Sequence, residues 1–234
     1  MVNGDMNSNQ NLLILGGSSS LGQELIVQAK IRELSTLSTY RSAKHCNKSH
    51  GNWLELDIEN IESIHNFLEK ISNEQFSTII YCIGSVSHIS LQILSVEQIY
   101  KYFETYISNA TYLITNLTRN LRKDLPANLI YISSRASIYP SFDFCYAASK
   151  AALSSLVSSL SKQIPKLHST YVMTPGLIKG SNMYLEMEKH IRKDHEKRSN
   201  YRLITLEEAA TFILDFNYSK LPSGSIIAVG PSYI

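Results

Sequence analysis

The sequence offers little of what marks a specialised class of protein. Its three cysteines, Cys46, Cys82 and Cys145, form no CxxC pair and are odd in number. That argues against a disulfide framework or a zinc site and fits a reduced compartment. No apolar run approaches the length of a spanning helix, and Leu12 to Leu15 near the start suits a buried strand instead. No basic leader precedes it, so no export signal is read. The net charge of +2 is too mild to point to nucleic acid or a membrane surface as the main partner. Internal repeats and low-complexity linkers are missing as well. What is present is an ordinary globular composition, 18% charged and 44% AVILMFWYC over 234 residues, long enough for one sizeable core. The expectation is one cytoplasmic domain over residues 11–234, with a loose polar lead-in over residues 1–10.

Short apolar runs alternate with segments of helical period. Leu12–Leu15, Thr36–Tyr40, Trp53–Leu56, Thr78–Ile83, Asn128–Ser133, Thr170–Met173 and Ser225–Val229 read as strands. Gly22–Leu34, Ile58–Ile71, Val96–Leu121, Phe144–Ile164 and Thr205–Phe216 read as helices, the last opened by a Thr205/Glu208 capping box. Alternation of this kind predicts an α/β fold, a Rossmann-like doubly wound parallel sheet of about seven strands with helices on both faces. In such sheets ligands gather outside the carboxyl ends of the strands.

Four strand ends carry residues of interest. After the first strand, the turn Gly16-Gly17-Ser18-Ser19-Ser20-Leu21-Gly22 opens a helix, where glycines let backbone approach a pyrophosphate and the helix N-terminus favours it. After the second, Arg41 stands where an acidic residue would otherwise take a ribose 2′-hydroxyl. An arginine there can hold a 2′-phosphate, so NADPH is expected over NADH. Asp57 closes the third and suits both a helix cap and an adenine amino group. Gly84 ends the fourth in a turn. Finally, Tyr146 and Lys150 in CYAASKAAL are four residues apart and share a helix face. A free phenol has a pKa of about 10, and a cation held close would favour its ionised form.

Gly16, Ser20 and Gly22 fall on a GxxxGxG spacing, with serine at the second glycine and Leu15 for the common threonine. With Asp57, Gly84, Asn109, Ser133-Ser134, Tyr146-x-x-x-Lys150 and Pro175-Gly176 in order, nearly the whole chain resembles the short-chain dehydrogenase/reductase family, classical type. The resemblance implies a catalytic set of Asn109, Ser134, Tyr146 and Lys150, with Tyr146 as proton donor, Lys150 also holding the cofactor ribose, and Asn109 bending its helix and holding a water that contacts the lysine. Matching the ISS motif selects Ser134 as oxyanion partner, while counting back from Tyr146 selects Ser133. It further implies that Gly16, Ser18, Ser19, Ser20, Leu21, Gly22, Arg41, Asp57, Ile58, Gly84, Tyr146, Lys150, Pro175, Gly176 and Ile178 bind the cofactor, that Ser181 joins them, and that no metal takes part. Departures stand at Tyr81-Cys82-Ile83 and at Val229-Gly230-Pro231.

The charged stretch about 177–203 corresponds to the family's substrate lid. In size the chain resembles 3-oxoacyl-carrier-protein reductases, with Arg119, Arg122 and Lys123 expected on the approach side for an acyl carrier protein. A 3-oxoacyl thioester is therefore the first expectation for the substrate, a keto-sugar or other small polar carbonyl the second, and a non-catalytic NADPH-binding sensor or scaffold the alternative of another class. A homodimer or homotetramer built on the two long helices is implied by the family.

Overall fold

The computed structural model of the protein describes residues 11–42, 52–87, 95–198 and 202–230. The polar lead-in, Cys46, Pro231 and residues 199–201 of the expected lid lie outside them. Seven strands, β1 (Asn11–Leu15), β2 (Ser35–Tyr40), β3 (Asn52–Glu55), β4 (Thr78–Tyr81), β5 (Asn128–Ile132), β6 (Ser169–Pro175) and β9 (Ser225–Val229), form one sheet in the order 3-2-1-4-5-6-9. Every neighbouring pair is parallel. These are the seven expected strands, with most ends moved by one or two residues. A separate ribbon pairs β7 (Ile178–Lys179) with β8 (Ile204–Thr205).

Alternate residues of the central strands enter different cores, because side chains along a strand point to opposite faces. Leu13, Leu15, Ile79, Tyr81, Leu129 and Tyr131 pack on one face with α2 (Ile61–Lys70), α4 (Ala110–Leu117) and α5 (Phe144–Leu160). Leu12, Ile14, Ile80, Ile130 and Ile132 pack on the other with α1 (Ser20–Ile31) and α8 (Leu206–Asp215). A sheet covered on both faces needs strands apolar on both sides, which is why the runs are short and continuous rather than alternating.

The helices depart from expectation at both ends: α1 stops at Ile31 rather than Leu34 and α5 at Leu160 rather than Ile164, while two starts also move. α1 opens two residues before Gly22, because the Ser19 side chain caps it by accepting from Gly22 N. α2 opens at Ile61, capped by Asn60 and not by Asp57; the Asp57 carboxylate instead accepts from Glu59 N at 3.0 Å. The expected helix Val96–Leu121 is three pieces plus a tail: α3 (Val96–Phe103), a π-helical turn (Glu104–Asn109), α4 and a 3₁₀ turn (Thr118–Asn120). α8 carries the expected capping box, Thr205 and Glu208 each satisfying the other's backbone. Within the charged stretch about 177–203 lie β7, α6 (Asn182–Glu186) and α7 (Lys189–Arg198), and β8 follows it. No helix among the described residues is long and apolar enough to cross a membrane.

Strand order reverses between β1 and β4, so a crevice opens at their carboxyl ends. Arg119, Arg122 and Lys123 do not lie there. They precede the amino end of β5, at the opposite end of the strand from Ser134, and Arg122 is paired with Asp124 at 3.3 Å. Being close in sequence to a strand says nothing about which of its ends a side chain neighbours.

Candidate active site

At the end of β1 the chain turns on Gly16, whose φ of +83° favours glycine. Thr39 of β2 accepts from Gly16 N at 2.9 Å, and Ser19 Oγ donates to Gly16 O at 2.7 Å. An added Cβ at Gly22 would stand 2.2 Å from the Gly16 oxygen, so the first turn of α1 rests directly on the turn's backbone. Of the four N–H groups that open α1, those of Gly22 and Gln23 are met by Ser19, and among the described residues those of Ser20 and Leu21 remain for an anion. The cradle therefore fits a pyrophosphate through backbone. The Leu21 side chain is buried in the core, and the Ser18 carbonyl accepts from Gln23. Ser20 is committed elsewhere: its hydroxyl donates to Asn182 Oδ1 and accepts from Asn182 N, both at 2.9 Å, joining the turn to the first residue of α6.

Arg41 follows β2 and is exposed, its guanidinium 3.0 Å from Glu59. An exposed pair of this kind is worth under about 1 kcal/mol, so a phosphate can compete for it. Cys82 donates its thiol to Leu15 O at 2.9 Å, and burial pushes that thiol up to about 12. Gly84 is needed for a reason other than a turn: a Cβ there would meet Lys150 Nζ at 2.8 Å.

Tyr146 and Lys150 sit one turn apart on α5, both buried, and line one pocket with Tyr81, Gly84, Tyr102 and Tyr131. Lys150 Nζ donates to Ile132 O at 3.0 Å and lies 5.0 Å from the Tyr131 ring centre and 5.8 Å from that of Tyr146. Burial lowers its pKa to about 8. The phenol of Tyr146 moves the other way from the expectation. Burial pushes it up to about 12, opposed by the Ser134 side chain and aided by the Asp143 charge. Desolvation sets the direction here, so Tyr146 is a protonated donor at neutral pH.

Of the two serines it is Ser134 whose side chain favours ionisation of the phenol, and its hydroxyl also accepts from Ala136 N at 3.1 Å. Ser133 is buried between β5 and α5, its hydroxyl 2.7 Å from Ser154 Oγ. Asn109 closes the π turn, and its amide donates to Ile58 O at 2.9 Å, so the half-buried side chain is paired with the segment after β3 rather than with the lysine. At the end of β6, Gly176 N donates to Val229 O, and Ile178 packs its side chain into the core beside Ile204, leaving only its backbone for a ligand. The Ser181 hydroxyl accepts from Tyr184 N as the cap of α6.

Three features were missed. Thr39 steadies the turn at Gly16, Asn182 ties that turn to α6, and Asp143 caps α5 while binding Ser87. Only the last had a readable signal, an aspartate immediately before an apolar helix.

Residues 10–192 match the family model described as short chain dehydrogenase. Solved structures are similar over nearly the whole chain. A short chain dehydrogenase family protein from Francisella tularensis is 20% identical with a TM-score of 0.81, covering 95% of this chain and 97% of its own. L-Sorbose reductase from Gluconobacter frateurii, solved with NADPH and L-sorbose, is 18% identical with a TM-score of 0.82, covering 97% of both chains. BdcA, solved with NADPH, is 17% identical with a TM-score of 0.83, covering 97% of this chain and 95% of its own. At such identities the likeness speaks for the fold. No curated protein matches the sequence.

Proposed function

The chain belongs to the short-chain dehydrogenase family, NAD(P)-dependent oxidoreductases, and on that premise we propose that it reduces a carbonyl to an alcohol with NADPH. The observation that carries this reading is a buried phenol, protonated at neutral pH, with Ser134 beside it and Lys150 one turn away. Bound NADPH supplies the hydride. Tyr146 gives the proton to the substrate oxygen, and Ser134 helps hold that oxygen in place. Lys150 holds the ribose and steadies the negative charge left on Tyr146. Gly16, Ser18, Ser19, Ser20, Leu21 and Gly22 cradle the pyrophosphate mainly through backbone, Asp57 and Ile58 the adenine side, and Gly84, Pro175, Gly176 and Ile178 the nicotinamide side. Arg41, released from Glu59, takes the 2′-phosphate. Asn109 acts through its hold on Ile58.

For the substrate, the stretch joining Ser134 to Tyr146 exposes Ile138, Tyr139 and Phe142, the last 67% accessible. An apolar rim of this kind favours an acyl chain over a polyol, and supports a 3-oxoacyl thioester. With the basic cluster at the amino ends of the strands, the charged helix α7 is the element left among the described residues to recognise an acyl carrier protein. The keto-sugar reading rests on the sorbose reductase likeness and ranks second. A sensor ranks third, because Tyr146 and Lys150 line the same pocket. A homodimer or homotetramer in the cytoplasm belongs to this reading, supported by Tyr100 on α3 and Tyr112 on α4, both exposed.

The test is NADPH and NADH binding to wild type and Arg41→Ala, then NADPH oxidation with acetoacetyl thioesters and with ketoses, for wild type and Tyr146→Phe. Expected are a preference for NADPH that Arg41→Ala removes, turnover of the thioester, and loss of turnover in Tyr146→Phe by about 10³-fold or more. NADPH binding without turnover on either substrate class would leave the sensor.

A further inference from the structure

We propose that Asp143 is a positioning residue for this reduction: its carboxylate ties the segment after β4 to the first turn of α5 and so sets Tyr146 against Lys150. The proposal rests on Tyr146 being the proton donor, as above.

Asp143 uses both oxygens. Oδ1 accepts from Tyr146 N at 2.9 Å and from Ser87 Oγ at 2.6 Å, and Oδ2 accepts from Ser87 N at 2.6 Å. Capping a helix needs one such bond, which serine, threonine or asparagine makes as well. The two short bonds to Ser87 go beyond capping. They complete a series. Gly84 packs against the Lys150 ammonium, Ser85 O accepts from Tyr102 Oη at 2.7 Å, and Ser87 is held by Asp143. The segment leaving β4 is thus fixed at three points by residues of the candidate site or its pocket wall, and Asp143 is the one that joins it to the backbone of Tyr146 itself.

The charge has a second effect. The groups that face the phenol are Lys150 on its own helix, Ser134 and Tyr131 from β5 and its end, Tyr102 from α3, and Asp143 at the cap. Asp143 is the carboxylate among them, and it opposes ionisation of Tyr146. It therefore keeps the phenol a donor to higher pH.

Asp143→Ser retains a cap but removes the charge and the reach to Ser87. The variant is expected to fold, to bind NADPH as wild type does, and to lose kcat by roughly 10- to 100-fold with KM little changed. The alkaline limb of its kcat profile should move to lower pH, and amide exchange at Ser85–Ser87 should quicken without a change elsewhere in the sheet. Ser87→Ala should cost less, and should cost nothing further in the Asp143→Ser background. Asp143→Ser with wild-type kcat and an unmoved alkaline limb overturns the proposal, as does unaltered exchange at Ser87. Wild-type turnover in Tyr146→Phe would instead overturn the proposed function, and exchange at Ser87 would still decide whether the tie exists.

Discussion

An added methyl at Gly22 would stand 2.2 Å from the Gly16 oxygen, and one at Gly84 would stand 2.8 Å from the Lys150 ammonium. Both glycines lie beside the crevice at the carboxyl ends of β1 and β4, and an added Cβ is crowded at both, yet what it would meet differs. Gly22 meets backbone that is itself locked by Thr39 and Ser19, and nothing there can give way. Gly84 meets the far end of a flexible side chain. The turn from Gly16 to Gly22 is rigid because main chain rests on main chain. The tyrosine pocket is held by side chains, a lysine on a carbonyl and an aspartate across a gap, and its parts can move at a cost in function rather than in fold.

Three substitutions test that contrast. Gly22→Ala should have the largest effect, destabilising the chain by about 1–3 kcal/mol or more through overpacking and abolishing NADPH binding in fluorescence titration. Near-normal binding would mean the turn is as yielding as the pocket. Lys150→Met comes next. It should abolish turnover while raising the melting temperature at pH 7, since a buried cation is removed. The folded pKa of Lys150 is lowered from 10.5 to about 8, so between those values the unfolded chain binds more protons and wild-type stability rises with pH. The variant's advantage should therefore be largest below pH 8 and close towards pH 10.5 in melts across that range. An advantage that does not change with pH would show that burial of the charge is not what Lys150 costs. Gly84→Ala should be mildest, with stability changed by under about 1 kcal/mol as the lysine shifts, but kcat reduced by about tenfold. A loss of stability as large as that of Gly22→Ala would erase the distinction.

The central strands β1, β4 and β5 were legible because each is a short run apolar on both faces, and β9 matches to the residue. Helix starts were less so, since Ser19 and Asn60, rather than the glycine and aspartate nearest the apolar pattern, do the capping. The π turn at Glu104–Asn109 leaves the apolar stripe of its helix intact and so leaves no trace in the pattern. Within the site, spacing alone brought Tyr146 beside Lys150. It could not give the sign of the phenol's shift, which depends on how much water the fold removes, nor separate Ser133, whose hydroxyl pairs with Ser154, from Ser134, whose side chain acts on the phenol. The basic residues at 119–123 were misplaced because linear distance to a strand does not tell its amino end from its carboxyl end.

The wholly parallel sheet also governs time. No two of its strands can zip together through a hairpin, and each joint brings together residues far apart in the chain, Leu12 with Thr78 and Val172 with Ile226 among them. Loop closure must be met before any of these pairings returns free energy, so refolding should be slow for a chain of this length, with edges of β1 and β6 open to other chains in the interval. Dilution and low temperature during refolding should therefore decide how much protein is recovered, independently of how stable the finished molecule is.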